Sequence, residues 1–416
     1  MKDHVTQWLN QAHAWIGLFS AWILFSVFAT GTLAVFDEEI TYWMLQPEIQ
    51  KITTASGPVG FSPEFRTAEL FMESPLNGSG GDGLVQLIKW QDKRSFTGQS
   101  IDPATGNLLV FRETRGGDLF YHFHYGLLAG LAGVWMVGAA AIAIWAAAIT
   151  GVLIRRRRFI ADLFMAGFRT VSLRSWSDVH NAIGLLMLPF LATITITGLV
   201  VLWSIYLAGG TPESGEAGAS LAGLLHFGRF GGVVSRWGYF LMGFASSLVV
   251  ATGLAIRTAK RRRGRGDRSD PLAVQVADRL AVGVVAGLLV AVAAFFWINR
   301  VLPAVVPHRA DWEVRAFFSV WAICVGFGAL RGESALAWRD LLAAAGVLLM
   351  LLPGLNLLTT KSHLLATVTD GQWGLAAVDI TSLFVGTCLA WVAVRVRRGL
   401  VGEFGDRLST LSVSDA

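Results

Sequence analysis

Cysteine is nearly absent from this sequence. Only Cys324 and Cys388 occur, each within an apolar run, and neither belongs to a Cys-x-x-Cys or Cys-x-x-Cys-His motif. This scarcity excludes a disulfide framework, a cysteine-ligated iron–sulfur cluster and a covalently attached c-type haem. We interpret both residues as small apolar core side chains.

Charged residues are also scarce, at 15% of the 416 positions, whereas hydrophobic residues make up 54%. This balance excludes an ordinary soluble domain and reflects apolar runs of about 20 residues, the length that crosses the hydrocarbon core of a bilayer. Eight such runs occur, at residues 12–36, 122–153, 180–204, 232–256, 279–298, 314–330, 338–355 and 374–394. The sequence therefore predicts an all-α polytopic membrane protein embedded in the lipid bilayer.

Lysine and arginine are missing from residues 205–225, and residues 356–373 contain only Lys361. Basic clusters instead follow the second, fourth and eighth apolar runs, at residues 155–158, 257–268 and 395–398. The positive-inside rule therefore predicts cytoplasmic termini and basic loops, and an extracytoplasmic segment between the first two runs. We expect the clusters to contact anionic lipid rather than nucleic acid, and the N-terminal run to remain an uncleaved span.

The order of these runs divides the chain into five segments. We predict a first span (1–36), an extramembrane insert (37–118), spans two to four (119–265), a further four-span block (275–398) and a cytoplasmic tail (399–416). The insert contains strand-like runs at 84–90, 95–102 and 108–114, and its Asp-Pro and Gly-Asn at 102–107 are typical of a hairpin tip. We therefore predict a small α+β periplasmic domain that lies against the membrane surface.

Two histidine patterns are duplicated between residues 13 and 253. His13 opens HAWIGL and His180 opens HNAIGL, and the Gly of a Thr-Gly pair follows each histidine by 18 residues. His124 and His226 each precede an aromatic residue and a Gly, with a Trp 11 residues on and the Gly of a Thr-Gly pair 27 residues on. The four Thr-Gly glycines are Gly31, Gly198, Gly151 and Gly253, and the tryptophans are Trp135 and Trp237. This shared register predicts an internal two-helix repeat in the first four spans.

Paired imidazoles in a helix bundle are a common means of holding haem iron from both sides. The predicted topology places His13 and His180 near the cytoplasmic surface (the first pair) and His124 and His226 near the periplasmic surface (the second pair). The pattern predicts two b-type haems, each with two histidine axial ligands, which favours electron transfer over oxygen activation. His13 and Gly31 lie about 27 Å apart along a helix, so that two haems would form an electron path across the membrane.

The residues around these histidines raise two further points. Glycine one turn after His13 and His180, and two residues after His124 and His226, is expected to leave room for a flat macrocycle; these are Gly17, Gly184, Gly126 and Gly228.

His122 lies two residues before His124 and faces another side of the helix. It is interpreted as a surface residue, a propionate contact or the true second-pair ligand, and these alternatives stay open.

Three segments carry a resemblance to a known family. The His-x-x-x-Gly-Leu starts at His13 and His180, YHFHYGLLAG at 121–130 and IDPATGNLLVF at 101–111 resemble the PepSY-associated transmembrane proteins, over residues 1 to about 265. These are FoxB/PiuB-like iron-regulated membrane proteins, which include ferric-siderophore reductases. The resemblance implies a PepSY-like insert and haem-dependent reduction of a ferric siderophore in the periplasm, with no catalytic side chain assigned. No Gly-x-Gly-x-x-Gly fingerprint follows a predicted strand, so that we expect electrons from quinol or another separate donor.

Two other classes of function compete with a haem oxidoreductase. In a metal-ion or siderophore permease the histidines would bind a metal in transit, although Asp379 is the one clear acid inside the last span. In a PepSY-type regulatory membrane protein the insert would bind another protein. A visible absorption spectrum of the purified protein separates the oxidoreductase from both.

Overall fold

The computed structural model describes residues 2–52, 70–71, 85–90, 96–101, 108–109, 113–155, 173–206, 220–228, 230–263, 272–303, 306–360 and 362–414. The helices in these ranges are α1 (Lys2–Ala34), α2 (Asp37–Ile52), α3 (Asp118–Gly126), α4 (Gly130–Arg155), α5 (Leu173–Leu186), α6 (Leu188–Tyr206), α7 (Leu221–Phe227), α8 (Gly232–Arg263), α9 (Leu272–Val301), α10 (Arg309–Leu330), α11 (Ser334–Thr359), α12 (Leu364–Thr369) and α13 (Trp373–Ser414). Among them, α1, α4, α6, α8, α9, α10, α11 and α13 are long and apolar enough to cross a membrane. The predicted helical membrane architecture with eight spans is confirmed.

Among the described residues between α2 and α3 there are four short strands, namely β1 (Leu70–Phe71), β2 (Val85–Trp90), β3 (Phe96–Ile101) and β4 (Leu108–Leu109). They form one antiparallel sheet in the order β1-β2-β3-β4, in which Val85 pairs with Ile101 and Ser100 pairs with Leu109. The predicted strand runs thus coincide with β2, β3 and β4, whereas no apolar run predicts the polar helix α2. The predicted hairpin tip at 102–107 lies outside the described residues.

The predicted second span, residues 122–153, is two helices rather than one. After α3, residues Leu127, Leu128 and Gly130 adopt positive φ angles of 51°, 52° and 58°. A left-handed turn ends an α-helix because it directs the following N–H groups away from the helical carbonyls. His124 therefore lies on the short helix α3, and the span itself begins at Gly130.

The predicted third span, residues 180–204, is divided in the same way. A break at Met187 separates α5 from α6, although the Met187 N–H still donates to the Ile183 carbonyl at 2.9 Å. Pro189 has no N–H to donate to the carbonyl four residues earlier, so the helical ladder loses a hydrogen bond at this break. His180 therefore lies on α5, before the span that begins at Leu188.

α1 is the central helix of the first four spans, because it packs against α3, α4 and α8. A core of Leu24, Phe28, Ala140, Met187 and Leu191 lies between α1, α4 and the start of α6. The last four spans contact this bundle through α9, which packs against α1 and α8. Phe295 of α9 also packs against Phe120 of α3, with the ring centres 5.5 Å apart in an edge-to-face arrangement, a geometry that aromatic pairs prefer.

Arg300 of α9 holds α2, the chain segment that leads into the insert. Its guanidinium donates to the carbonyl oxygens of Trp43 at 2.5 Å and of Met44 at 3.3 Å. Pro47 has no N–H, so the Trp43 carbonyl lacks its helical donor and accepts from the arginine instead. The same guanidinium lies 3.7 Å from the centre of the Trp43 ring, a cation–π contact.

Glu313 of α10 holds the segment that leads out of the insert. This carboxylate is 0% exposed and accepts hydrogen bonds from the Thr114 hydroxyl at 2.6 Å and the Arg115 N–H at 3.2 Å. Asn299 also donates to it at 2.8 Å, and Arg309 forms a buried ion pair with it. The last four spans therefore hold both segments that connect the insert to the membrane bundle, and α3 with His124 begins directly after the second.

We expect Glu313→Ala to lower the free energy of unfolding by about 3–5 kcal/mol, because it leaves Arg309 buried without its partner. The measurement is an unfolding titration in mixed micelles followed by tryptophan fluorescence. The matched control is Asp311→Ala on the same helix, whose ion pair with Arg115 spans 3.6 Å and is about half exposed on both sides, so that its loss costs less than about 1 kcal/mol. Equal stability of the two variants would contradict the role of Glu313.

Candidate functional site

The structure brings the four repeated histidines together in two pairs. The ring centres of His13 and His180 are 6.4 Å apart with an angle of 73° between the ring planes. Those of His124 and His226 are 6.1 Å apart with an angle of 32°. All four side chains are partly buried. These are the pairs that the predicted topology requires, although haem ligation itself stays a prediction.

The ring separations match the space that one metal ion between two imidazoles needs. A metal–nitrogen bond to histidine is about 2 Å long, and the nitrogen lies about 1 Å from its ring centre, so that two rings on opposite sides of an ion have centres about 6 Å apart. Both pairs have this spacing. Among the described residues, no group of three or more His, Cys, Asp or Glu side chains is placed to hold a metal ion.

In the first pair, each ring makes hydrogen-bond contacts with a neighbouring helix at one of its Thr-Gly pairs. His13 Nδ1 lies 2.9 Å from the carbonyl oxygen of Ala147 and 3.1 Å from the hydroxyl oxygen of Thr150, both on α4. His180 Nδ1 makes the same contacts with α8, at 3.0 Å to the Val249 carbonyl and 3.2 Å to the Thr252 hydroxyl. Each accepting carbonyl lies four residues before a Thr-Gly glycine.

The second pair repeats the carbonyl contacts on α1 and α6, and His226 also repeats the threonine contact. His124 Nδ1 lies 2.8 Å from the Val27 carbonyl oxygen, four residues before Gly31. His226 Nδ1 lies 3.1 Å from the Ile194 carbonyl oxygen and 3.3 Å from the Thr197 hydroxyl. The chain thus contains four copies of one support for an imidazole ring.

Each glycine is needed because the supported ring lies directly against it. In a helix the carbonyl of one residue points towards the residue four positions later, so that a side chain there covers it. A Cβ atom on Gly31 would lie 2.6 Å from His124 Cε1, and one on Gly198 would lie 2.8 Å from His226 Cε1. The corresponding distances to His180 and His13 are 3.1 Å for Gly253 and 3.3 Å for Gly151. Glycine therefore opens the carbonyl to the histidine.

The duplicated spacings now have a physical explanation that the sequence did not supply. Each half of the internal repeat contains one histidine of each pair. The helix that carries or directly follows the first-pair histidine supports the second-pair histidine of the same half. The helix that follows the second-pair histidine supports the first-pair histidine. Thus α1 carries His13 and also Gly31, which supports His124. The helix α4 follows His124 and carries Gly151, which supports His13. The sequence shows the Thr-Gly register, but the identity of the ring that each pair supports depends on helix packing.

The carbonyl contacts decide which ring nitrogen can bind a metal. A carbonyl oxygen only accepts hydrogen bonds, so Nδ1 of each histidine carries the proton and Nε2 keeps its lone pair. In the described part of the chain, Nε2 of these histidines has no hydrogen-bond partner. Metal-ligating histidines commonly donate their other ring nitrogen to a carbonyl in this way. This tautomer leaves the Nε2 lone pair of each ring available.

Neutral imidazole is also favoured by the surroundings of the second pair. Burial, and after it the neighbouring His124, lower the pKa of His226 to about 4, while the hydrogen bond to the Ile194 carbonyl opposes this change. His226 lies on the short helix α7, before the span that begins at Gly232. At neutral pH its ring is therefore uncharged, the form that binds a metal.

His122 does not take part in the second pair. Its Nδ1 lies 2.7 Å from the Tyr125 hydroxyl oxygen, and its ring packs edge to face against Tyr121. His124, not His122, faces His226. The structure therefore favours His124 as the ligand candidate, and leaves His122 in an aromatic cluster beside it.

The glycines that were expected to leave room for a macrocycle behave differently from one another. A Cβ atom on Gly17 would meet no atom within 4 Å, so the space beside α1 is open there, as expected. At Gly184 and Gly126 the nearest neighbours, Val249 and Val134, lie at an ordinary contact distance of 3.7 Å. Gly228 has φ of +62° and ends α7 in the left-handed conformation, so its main role is to turn the chain.

Comparison with known protein families supplies a relationship for this arrangement. The model of the PepSY-associated TM region family matches residues 10–223, about half of the chain. The chain belongs to this family. The match includes His13, His124 and His180 and ends three residues before His226. No curated protein and no solved structure matches the chain.

Proposed function

We propose that this PepSY-associated membrane protein is a di-haem b oxidoreductase of the bacterial cytoplasmic membrane. It carries electrons from the cytoplasmic side or from quinol to a periplasmic acceptor, a ferric siderophore. Residues 37–118, which contain the four-stranded sheet, form the periplasmic α+β domain in this proposal, and both termini are cytoplasmic. The ferric-siderophore substrate comes from the resemblance to the iron-regulated members of the family.

One observation carries the proposal. The ring centres of the two histidine pairs are 6.4 Å and 6.1 Å apart, which is the separation of two imidazoles that share one metal ion. In all four rings Nδ1 is hydrogen-bonded to a backbone carbonyl oxygen. His13 and the Gly31 that supports His124 both lie on α1, so the two pairs are separated by about 27 Å of helix. Two redox centres at opposite ends of one membrane helix suit electron transfer across the bilayer.

Haem bound at these pairs supplies the one-electron chemistry, and the residues of this chain do the rest. The four imidazoles hold their positions because the Thr-Gly supports fix both the tautomer and the ring plane. A haem held by two imidazoles at each pair would have no coordination site open to oxygen. At the first pair, Lys260 and Arg155 act electrostatically on His180, and these cations suit the carboxylates of a b-type haem.

The chemical purpose of the reaction follows from the acceptor. Siderophores hold Fe(III) through hard oxygen ligands, and one-electron reduction gives Fe(II), which such ligands bind more weakly. Reduction in the periplasm therefore releases the iron. The protein has no nucleotide-binding fingerprint after a predicted strand, which is why the proposal includes quinol or a separate protein as the donor.

The proposal predicts about two haems per chain, extractable with acidified acetone because the chain has no Cys-x-x-Cys-His motif. Pyridine haemochrome analysis of protein produced with ample haem measures the content, and the reduced spectrum identifies haem b. Quantitative protein determination on the same sample gives haem per chain. A preparation that is folded and contains no haem would show that the histidine pairs serve another purpose.

A further inference from the structure

An apolar layer lies inside the first four spans, between the levels of the two histidine pairs. Its buried members are Leu24 and Phe28 of α1, Ala140 of α4, Leu191 of α6, and Met187 between α5 and α6. Partly buried apolar side chains of α1, α4, α5, α6 and α8 pack against them, namely Ile23, Ile144, Ile183, Ile194, Met242, Ala245 and Val250. All four spans of this bundle therefore contribute to the cluster, which we call the middle layer.

The register along the helices places the middle layer between the two pairs. On α1, Leu24 lies 11 residues after His13 and seven residues before Gly31, which corresponds to about 16 Å and about 10 Å of helix. On α4, which follows α3, Ala140 lies seven residues before Ala147, whose carbonyl supports His13. An electron that passes from one pair to the other therefore crosses this layer.

The helix stretches that form the layer carry no ionisable side chain. Among the described residues these stretches are 14–26 of α1, 135–146 of α4, 181–193 of α5 and α6, and 240–248 of α8, and they contain no Asp, Glu, His, Cys, Tyr, Lys or Arg. Proton paths through membrane proteins are built from chains of such groups, above all Asp, Glu and His. A proton therefore finds no side chain in these stretches that can take it up and release it.

The hydroxyl groups of the same stretches do not link one helix to another. Each serine and threonine there donates to the carbonyl oxygen four residues earlier in its own helix; these residues are Ser20, Ser26, Thr193, Ser246 and Ser247. Such bonds satisfy each hydroxyl within one helix. In this part of the described chain, the hydroxyls thus form no hydrogen-bonded path along the bundle.

An apolar layer of this kind obstructs a proton far more than an electron. The five buried members are only 3–9% exposed, and a buried water molecule needs two to four polar partners, which their side chains do not offer. A charged carrier that enters such surroundings without partners loses its solvation at a high cost in free energy. An electron tunnels between two redox centres, and no carrier has to enter the layer.

We propose that the middle layer passes electrons and excludes protons, so that electron transfer between the pairs moves uncompensated charge and follows the membrane potential. This inference rests on the proposed function, because it needs a redox centre at each pair. Iron at the first pair is oxidised from Fe(II) to Fe(III), and iron at the second pair is reduced from Fe(III) to Fe(II), with one electron and no proton transferred. In the proposed orientation, a potential that is negative on the cytoplasmic side favours this direction, because it drives negative charge outwards.

The test measures how an imposed potential distributes electrons between the two haems. The full chain with haem is reconstituted in one orientation into potassium-loaded vesicles and partly reduced with a limiting amount of dithionite, and valinomycin sets the potential. The spectra of the His13→Ala and His124→Ala variants identify which haem is reduced. The pairs are about 27 Å apart along α1 and the hydrocarbon core is about 30 Å thick, so that most of the potential falls between them. We expect the ratio of the two reduced haems to change about tenfold for roughly 60 mV across the layer.

The matched control replaces the potential with a pH gradient, applied with nigericin at equal potassium concentrations. We expect no change in the ratio beyond the change that the same pH produces when it is present on both sides. A ratio that does not respond to the potential would overturn the inference, and a ratio that responds to the pH gradient instead would show that a proton accompanies the electron.

A separate measurement tests the barrier without any electron transfer. An internal pH-sensitive dye follows proton entry into the same vesicles, with the chain oxidised and valinomycin holding the potential. We expect the rate of vesicles without protein, and faster entry would overturn the inference in favour of a permease. A folded chain that contains no haem and admits no protons would support the barrier and contradict the proposed function instead.

Discussion

We expect alanine in place of His13 or His180 to remove one of the two proposed haems, the same one in both variants, and alanine in place of His124 or His226 to remove the other. The reason is that a haem held by two histidines would lose half of its attachment to the protein when either histidine is replaced. The two rings of each pair, with centres 6.4 Å and 6.1 Å apart, are close enough to share one iron. Haem content is expected to fall from about two to about one per chain in each variant. Pyridine haemochrome analysis measures the fall.

Electron paramagnetic resonance identifies which haem is lost. The ring planes meet at 73° in the first pair and at 32° in the second. Because the orientation of the axial rings sets the splitting of the iron d orbitals, the two oxidised centres are expected to give different low-spin signals. His4→Ala is the control, since His4 is an exposed histidine on α1. Loss of the second-pair signal from a His13 variant would refute the pairing.

Alanine at Gly31 is expected to remove the haem of the second pair while every histidine remains in place. Its Cβ would lie 2.6 Å from His124 Cε1, closer than real Cβ atoms come, so that the ring must leave the Val27 carbonyl. Alanine is favoured over glycine in a helix by about 1 kcal/mol, so that the substitution stabilises the helix α1 itself. A loss of haem would therefore come from the displaced ring and not from a weaker helix. Haem content and the second-pair resonance signal measure the outcome.

The other Thr-Gly glycines provide a graded series for the same test. The distances from a Cβ atom to the supported ring increase from Gly31 through Gly198 and Gly253 to Gly151, where the value is 3.3 Å. The loss of haem is expected to decrease in that order. Gly138→Ala on α4 is the matched control, because a Cβ atom there meets nothing within 4 Å. A Gly31→Ala protein with both haems and unchanged signals would show that the ring does not need this support.

The sequence by itself determined the membrane class and the number of candidate spans, and its register predicted which histidines pair, apart from the choice between His122 and His124. These properties follow from quantities that act locally along the chain. Apolar length decides whether a helix crosses a bilayer, and spacing along a helix converts directly into distance. His13 and Gly31 are 18 residues apart in the sequence, and this register already separates the two pairs by the thickness of the apolar core.

Only the tertiary structure decided how the histidines are held. Every residue has a carbonyl, so nothing in the sequence distinguishes the Val27 carbonyl as the partner of His124. The choice depends on which helix faces which, and that is a property of packing between distant segments. For the same reason the structure, and not the pattern, separates His122 from His124. It also shows that α3 and α5 are distinct from the spans that follow them, and that Arg300 and Glu313 hold the insert, because these features depend on backbone turns and buried hydrogen bonds between residues far apart in the chain.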